Sequence, residues 1–270
     1  MTFRDKLAHA AEANHSLLCV GLDPDPERIP EGEIARYLCR VVEATSDLVC
    51  AYKPNLAFYE QLGAAGYDAL RTVLGAIPGD IPVIADAKRG DIANTAAAYA
   101  RALFDELGVD AATVNPYLGG DAVEPFAAYA EKGVLIVCRT SNPGARDLQD
   151  LDVGGRPLYQ AVAELARSWN TRGNVGLVAG ATYPTELAEL RTLCPDMPIL
   201  VPGVGAQEGA LEEAVRAGLD ARGAGIIVNA ARAVIYASSG SDYAEAARAR
   251  ASELREAIEA ERAARAGSAT

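Results

Sequence analysis

Eight short apolar runs recur along this chain, separated by stretches with helical spacing, and this alternation restricts the fold more than any other feature. The runs are Ser16 to Gly21, Leu48 to Ala51, Ile81 to Ala85, Ala111 to Val114, Val134 to Cys138, Val175 to Ala179, Ile199 to Val201 and Gly225 to Val228. They are short and apolar, and most carry Val or Ile, as parallel strands covered on both faces do. Between them, Ile34 to Ala44, Ile92 to Leu107, Ala122 to Ala130, Leu158 to Trp169, Thr185 to Leu193 and Ala210 to Ala217 read as helices. Eight strands alternating with helices predict an α/β fold, a closed (β/α)8 TIM barrel. A doubly wound sheet is the competing architecture, but no Gly-x-Gly-x-x-Gly follows the first strand, which weakens its dinucleotide-binding form. A length of 270 residues suits one barrel domain over 1–270. Within it, about 241–270 forms a C-terminal extension, because Tyr243 to Ala266 is rich in Ala, Glu and Arg and predicts a helix with a frayed, solvated end.

A net charge of −12 argues against a general nucleic-acid surface, while a few local positive groups still suffice for a small anion. Cys19, Cys39, Cys50, Cys138 and Cys194 are odd in number and irregularly spaced, which favours inert thiols over disulfides or a metal site. The only histidines, His9 and His15, lie near the start, so a histidine-rich metal centre is not expected. No stretch resembles a signal peptide or a membrane span, and the expected location is the cytoplasm. Lysine is confined to Lys6, Lys53, Lys88 and Lys132, and of these Lys53 and Lys88 end apolar runs.

The chemistry centres on Asp86-Ala87-Lys88-Arg89-Gly90-Asp91, where the third strand is expected to give way to a loop. Clustered charge is costly to desolvate, and folding alone rarely calls for it. Asp86 and Lys88 share a face on an extended segment. A carboxylate held near a substrate carboxylate raises the ground state, and a neighbouring ammonium can stabilise a carbanion or deliver a proton. An ion-pair network closing a strand end is the alternative, and Asp91 also suits a helix cap before Ile92.

A barrel brings the C-terminal ends of its strands to one mouth. Asp23 follows the first strand, Lys53 the second, Asn115-Pro116-Tyr117 the fourth, Thr140-Ser141-Asn142 the fifth, Gly203 to Gln207 the seventh and Asn229 to Arg232 the eighth. The glycine loop at Gly203 and Gly205, with Arg232 beyond the next strand, suits an anion held by backbone N–H groups and a guanidinium. Asp23 also fits a turn, Lys53 a snorkelling side chain, and Ser141 a Ser-Asn-Pro-Gly turn. With no histidine nearby to act as base, Ser141 suits hydrogen bonding to a polar heterocycle better than nucleophilic attack. Pro143 to Pro157 forms a long loop, either a lid or a surface excursion.

Taken together, these segments resemble the orotidine 5'-phosphate decarboxylase family, in its longer bacterial branch, from about Leu18 to Tyr236. The resemblance rests on Asp-x-Lys-x-x-Asp at Asp86, Lys88 and Asp91, together with Lys53, Ser141, Gln207 and Arg232. It implies decarboxylation of orotidine 5'-monophosphate to UMP and CO2 in pyrimidine synthesis, with no cofactor and no metal. Lys53, Asp86, Lys88 and Asp91 would form the charged catalytic array, with Lys88 protonating C6 and Asp86 near the departing carboxylate. Asp91 would serve the neighbouring subunit's site, which implies a homodimer. Asp23 and Lys53 would hold the ribose, with Thr95 assisting from the partner and Asn115 also at the substrate. Ser141 would contact the pyrimidine, and Gln207, Arg232 and the backbone near Ala231 would hold the phosphate. No nucleic acid or membrane partner is implied.

Four positions depart from the family's commoner pattern: Arg89-Gly90 in place of Phe-His, Glu208 in place of a glycine and Ala231 in place of another. The Asp-x-Lys-x-x-Asp segment is shared with metal-dependent sugar-phosphate decarboxylases and synthases of the same superfamily, the nearest alternative. An inactive nucleotide-binding barrel is a further one.

Overall fold

The computed structural model describes residues 1–29, 31–204 and 208–268. Eight parallel strands form one sheet: β1 Leu18–Gly21, β2 Ala51–Lys53, β3 Ile84–Arg89, β4 Ala111–Val114, β5 Gly133–Arg139, β6 Val175–Ala179, β7 Ile199–Pro202 and β8 Ile226–Ala230. The hydrogen-bonded order runs β2-β1-β8-β7-β6-β5-β4-β3. The ends of that order meet through the parallel bridges Tyr52↔Val83 and Asn55↔Asp86, so the sheet closes into the predicted barrel.

The helices are α1 Phe3–Ala13, α2 Ile34–Thr45, α3 Ala57–Glu60, α4 Gly63–Ala76, α5 Ala93–Arg101, α6 Gly120–Ala127, α7 Leu158–Trp169, α8 Pro184–Leu193, α9 Glu208–Gly218, α10 Arg232–Ile235 and α11 Tyr243–Ser268. Most bury one stripe against the sheet. In α2, Ile34, Leu38, Val41, Val42 and Thr45 recur at helical spacing and are all buried. α11 packs on α2 and α9, and Arg248 grips Asp47 with two bonds of 2.6 and 2.8 Å. It reaches Ser268, and the frayed end expected of it falls at residues outside those described.

Several elements differ from the sequence expectation. α1 and α4 were not anticipated. α1 begins with a reciprocal cap, Thr2 with Asp5, and carries Phe3 into the barrel's N-terminal end. A Cβ on Gly133 would stand 2.3 Å from the Phe3 ring, so this glycine is what lets the plug seat. The expected helix from Ile92 to Leu107 stays α-helical only to Arg101 and passes through a π-helical turn, Ala102–Glu106, before Gly108 at φ +68°. The second and third strands run past their expected ends at Ala51 and Ala85, reaching Lys53 and Arg89.

That extension follows from how the barrel is filled. One inward residue per strand forms an apolar floor: Cys19, Ala51, Ile84, Ala111, Leu135, Val178, Leu200 and Ile227, closed below by Phe3. Side chains repeat a face every second residue along a strand. The next inward positions are therefore Gly21, Lys53, Asp86, Thr113, Val137, Gly180, Pro202 and Asn229. Polar side chains enter the strands at this level because it opens on the mouth.

Candidate active site

Lys53, Asp86, Lys88 and Thr113 meet on the upper layer of the barrel. Lys53 Nζ stands 2.9 Å from Asp86 Oδ2, and Lys88 Nζ 2.6 Å from Asp86 Oδ1. Thr113 Oγ1 donates to Asp86 Oδ1 at 3.0 Å and accepts the Lys88 backbone N–H at 2.9 Å. Both carboxylate oxygens are therefore committed to donors. A bulge between Ala85 and Arg89 shifts the pairing with β4 at this point, and Lys88 takes φ +46°.

The two lysines differ in exposure. Lys53 is 2% exposed, whereas the Lys88 side chain is half exposed at the mouth. Burial opposes the charge on Asp86, but Lys53 and Lys88 overcome it and hold its carboxyl down at about 2. Burial likewise opposes the charge on Lys53, and Asp86 and Asp23 overcome it, raising its pKa. Asp23 goes the other way. Burial pushes its carboxyl up, Lys53 only partly offsets this, and Asp86 adds to it. Its Oδ1 accepts the Asn55 backbone N–H at 3.2 Å, and its loop is pinned where Tyr59 Oη donates to Leu22 O at 2.8 Å. The array thus carries a fixed carboxylate between two ammonium groups, one nearly fully buried and one half exposed at the mouth.

Asp91 is not joined to this array. Its Oδ1 accepts the backbone N–H of the next residue, Ile92, at 2.8 Å, which is not the helix cap weighed from the sequence: α5 starts at Ala93 with Ile92 in the cap position and no side-chain cap bond. Thr95 is exposed on the first turn of α5. Asn115 is exposed, and its Oδ1 accepts from Tyr117 N at 3.1 Å. Ser141 is exposed at the end of β5 and backs onto Gly180 of the loop after β6. A Cβ on Gly180 would lie 2.9 Å from Ser141 Cβ. Ala231 precedes α10, and Arg232 is exposed there with no ion pair among the described residues. Gln207 lies outside the described residues, as does the side chain of Glu208.

The departures at 89, 90 and 231 have local reasons. Arg89 turns away from the array to pair with Glu60 and lie over Tyr99, 5.3 Å from the ring centre. A Cβ on Gly90 would stand 2.9 Å from the Asn115 carbonyl oxygen. A Cβ on Gly21 would stand 2.5 Å from that of Ala231, so β1 makes room for this alanine.

Thr113 was missed by the sequence reading, although the alternation Ala111, Thr113, Asn115 places it on the inward face. Asn229 was seen only as part of the segment after the eighth strand. It is 5% exposed on the inward face of β8, with Oδ1 buried and unpartnered. Arg139 was also missed, and it is 2% exposed at the end of β5.

Residues 16–249 match the model of the Orotidine 5'-phosphate decarboxylase / HUMPS family. Among curated relatives, orotidine 5'-phosphate decarboxylase of Thermomicrobium roseum is 56% identical over 268 residues, covering 96% of this chain and 95% of that protein. The enzyme of the same name from a Roseiflexus species is 53% identical, covering 96% and 98%. Among solved structures, OMP decarboxylase of Leishmania donovani is 46% identical, with a TM-score of 0.88 and coverage of 97% of this chain and 99% of that one.

Proposed function

This chain belongs to the orotidine 5'-phosphate decarboxylase / HUMPS family, and we propose that Lys53, Asp86 and Lys88 are the groups with which it converts orotidine 5'-monophosphate to UMP and CO2. The observation that carries this is Asp86 held charged between Lys53 and Lys88 at 2.9 and 2.6 Å. A substrate carboxylate placed beside Asp86 adds a second negative charge, which its departure as neutral CO2 relieves. The C6–carboxylate bond breaks and leaves its electron pair on C6. The Lys88 ammonium stabilises that charge and transfers its proton to C6, and the resulting amine regains a proton from water. Lys53, nearly fully buried and paired with Asp86, keeps the carboxylate ionised and oriented.

In this reading, Asp23 and Lys53 hold the ribose hydroxyls, Asn115 lines the rim, and Ser141 contacts the pyrimidine edge. Arg232, the N–H groups near Ala231 and Gln207 hold the phosphate. Phosphate lies far from the breaking bond, so its binding energy serves to seat the ring against the array. Asp91 and Thr95 are proposed to act in the site of a second copy. Their exposed surroundings support a homodimer: Ile92 is 56%, Tyr117 77% and Leu118 47% exposed beside the mouth. We read the chain as one barrel domain. Among the described residues no helix is long and apolar enough to cross a membrane. The cytoplasm is the proposed location, and the five cysteines are free.

The test is to follow orotidine 5'-monophosphate absorbance with EDTA-treated protein and no added metal, and to identify the product. Conversion to UMP and CO2 is expected. Turnover of a keto-sugar phosphate only when metal is restored would move the chain to the sugar-phosphate enzymes. UMP binding without decarboxylation would make it an inactive barrel.

A further inference from the structure

We propose that Gln149 and Arg139 are positioning residues that hold the Thr140-Ser141 turn in its working geometry, by tying the 143–157 excursion back onto the end of β5. The inference rests on Ser141 as a pyrimidine contact. Gln149 engages Thr140 twice: Oε1 accepts the Thr140 backbone N–H at 2.8 Å, and Nε2 donates to Thr140 Oγ1 at 2.8 Å. Thr140 Oγ1 in turn donates to Asn142 Oδ1 at 2.7 Å. Ser141 thus sits between two residues whose hydrogen bonds lead back to one carboxamide.

Arg139 holds that carboxamide in place. Its Nη1 donates to Gln149 Oε1 at 3.3 Å, and its Nη2 lies 3.2 Å from Asp150 and 3.8 Å from Glu186. The guanidinium sits over Tyr183 at 4.3 Å and near Tyr159 at 5.6 Å. One buried cation therefore joins the end of β5, the excursion and the first turn of α8. Its Nε is buried without a partner. A buried charge with an unmet donor is a poor source of stability, and what this arrangement supplies is a fixed geometry. The far side of the turn is walled by Gly180, and a Cβ on Gly203 would lie 3.9 Å from Ser141 Oγ. The freedom left to the serine is along the chain segment that Gln149 grips.

A double-mutant cycle on orotidine 5'-monophosphate decarboxylation tests this, using Ser141→Ala, Gln149→Ala and both in the full chain, with thermal midpoints measured alongside. Gln149→Ala is expected to lower kcat/KM about tenfold to a hundredfold while the midpoint stays near wild type. Gln149→Glu, which keeps the acceptor for Thr140 N–H and for Arg139 but loses the donor to Thr140 Oγ1, should restore only part of that loss. In the Ser141→Ala background the same change should alter kcat/KM less than about twofold. If Gln149→Ala fails to fold, Gln149→Met keeps the volume, removes both bonds and replaces it in the cycle. A full loss persisting without Ser141, or no loss when Ser141→Ala alone is impaired, overturns the proposal and spares the role of Ser141. Wild-type kinetics in Ser141→Ala removes that role, and the proposal with it.

Discussion

The Lys88 ammonium lies 2.6 Å from Asp86 Oδ1 on a backbone that takes φ +46° at the lysine. On a regular strand, residues two apart stand about 7 Å from each other at Cα and point the same way. The left-handed turn, with the Lys88 N–H anchored on Thr113 Oγ1, leaves the side chain at the mouth and its ammonium folded back onto the carboxylate. Such a conformation costs a non-glycine residue about 1 kcal/mol, and here the strain sits at the group proposed to donate the proton.

Stability at position 88 should therefore invert the usual order. Within an ordinary strand, alanine is more stable than glycine by about 0.5–1 kcal/mol. Lys88→Gly is expected to melt above Lys88→Ala, since both lose the ion pair and only glycine is free of the strain. Thermal melts of the two variants decide it, and the ordinary order would mean the backbone here is unstrained.

Acid should weaken the fold through Asp86. Its folded pKa is about 2, below the unfolded 3.8, so its contribution is complete above pH 3.8 and is lost as pH falls towards 2. The contribution is about 2 kcal/mol. Asp86→Asn should be less stable than wild type at pH 7, and the gap should close towards pH 2. A gap that is constant with pH would mean the carboxylate is not held by its lysines.

Asp23 predicts the opposite sign. Burial raises its folded pKa above 3.8, so wild type loses stability as pH rises from there through the raised value. Asp23→Asn keeps an acceptor for Asn55 N–H and removes the buried charge. It should melt higher than wild type at pH 7, match it below about pH 4, and bind the nucleotide more weakly. A lower midpoint at neutral pH would show that attraction to Lys53 outweighs desolvation.

The contact between Gly21 and Ala231 gives a compensation test. Gly21→Ala places two Cβ atoms 2.5 Å apart and should destabilise by about 2 kcal/mol. Adding Ala231→Gly should recover part of this, though not all, because Ala231 Cα would still stand 3.1 Å from the new methyl. Equal midpoints for the single and double variants would show that the strain lies elsewhere.

The barrel was legible because its signal is local: eight apolar runs whose spacing alternates with helical stretches. The array was partly legible, since Lys53, Asp86 and Lys88 are rare charges at the ends of those runs. Its depth was not legible. Asp86 and Lys88 belong to the strand itself, and only closure of the barrel shows that the layer above Ile84 and Ala111 admits charge. Thr113 hid in an apolar run for the same reason. α1 carries little apolar pattern, and Phe3 matters only because Gly133 leaves space for it. Arg139 draws its partners from Gln149, Asp150, Tyr159, Tyr183 and Glu186, a meeting that no local spacing announces.

The most direct measurement is kcat/KM for orotidine 5'-monophosphate in wild type and Lys88→Ala, with circular dichroism confirming that both are folded. Loss of the proton donor should lower the rate about a thousandfold or more. A folded Lys88→Ala that keeps its rate within about tenfold of wild type would contradict the role assigned to Lys88.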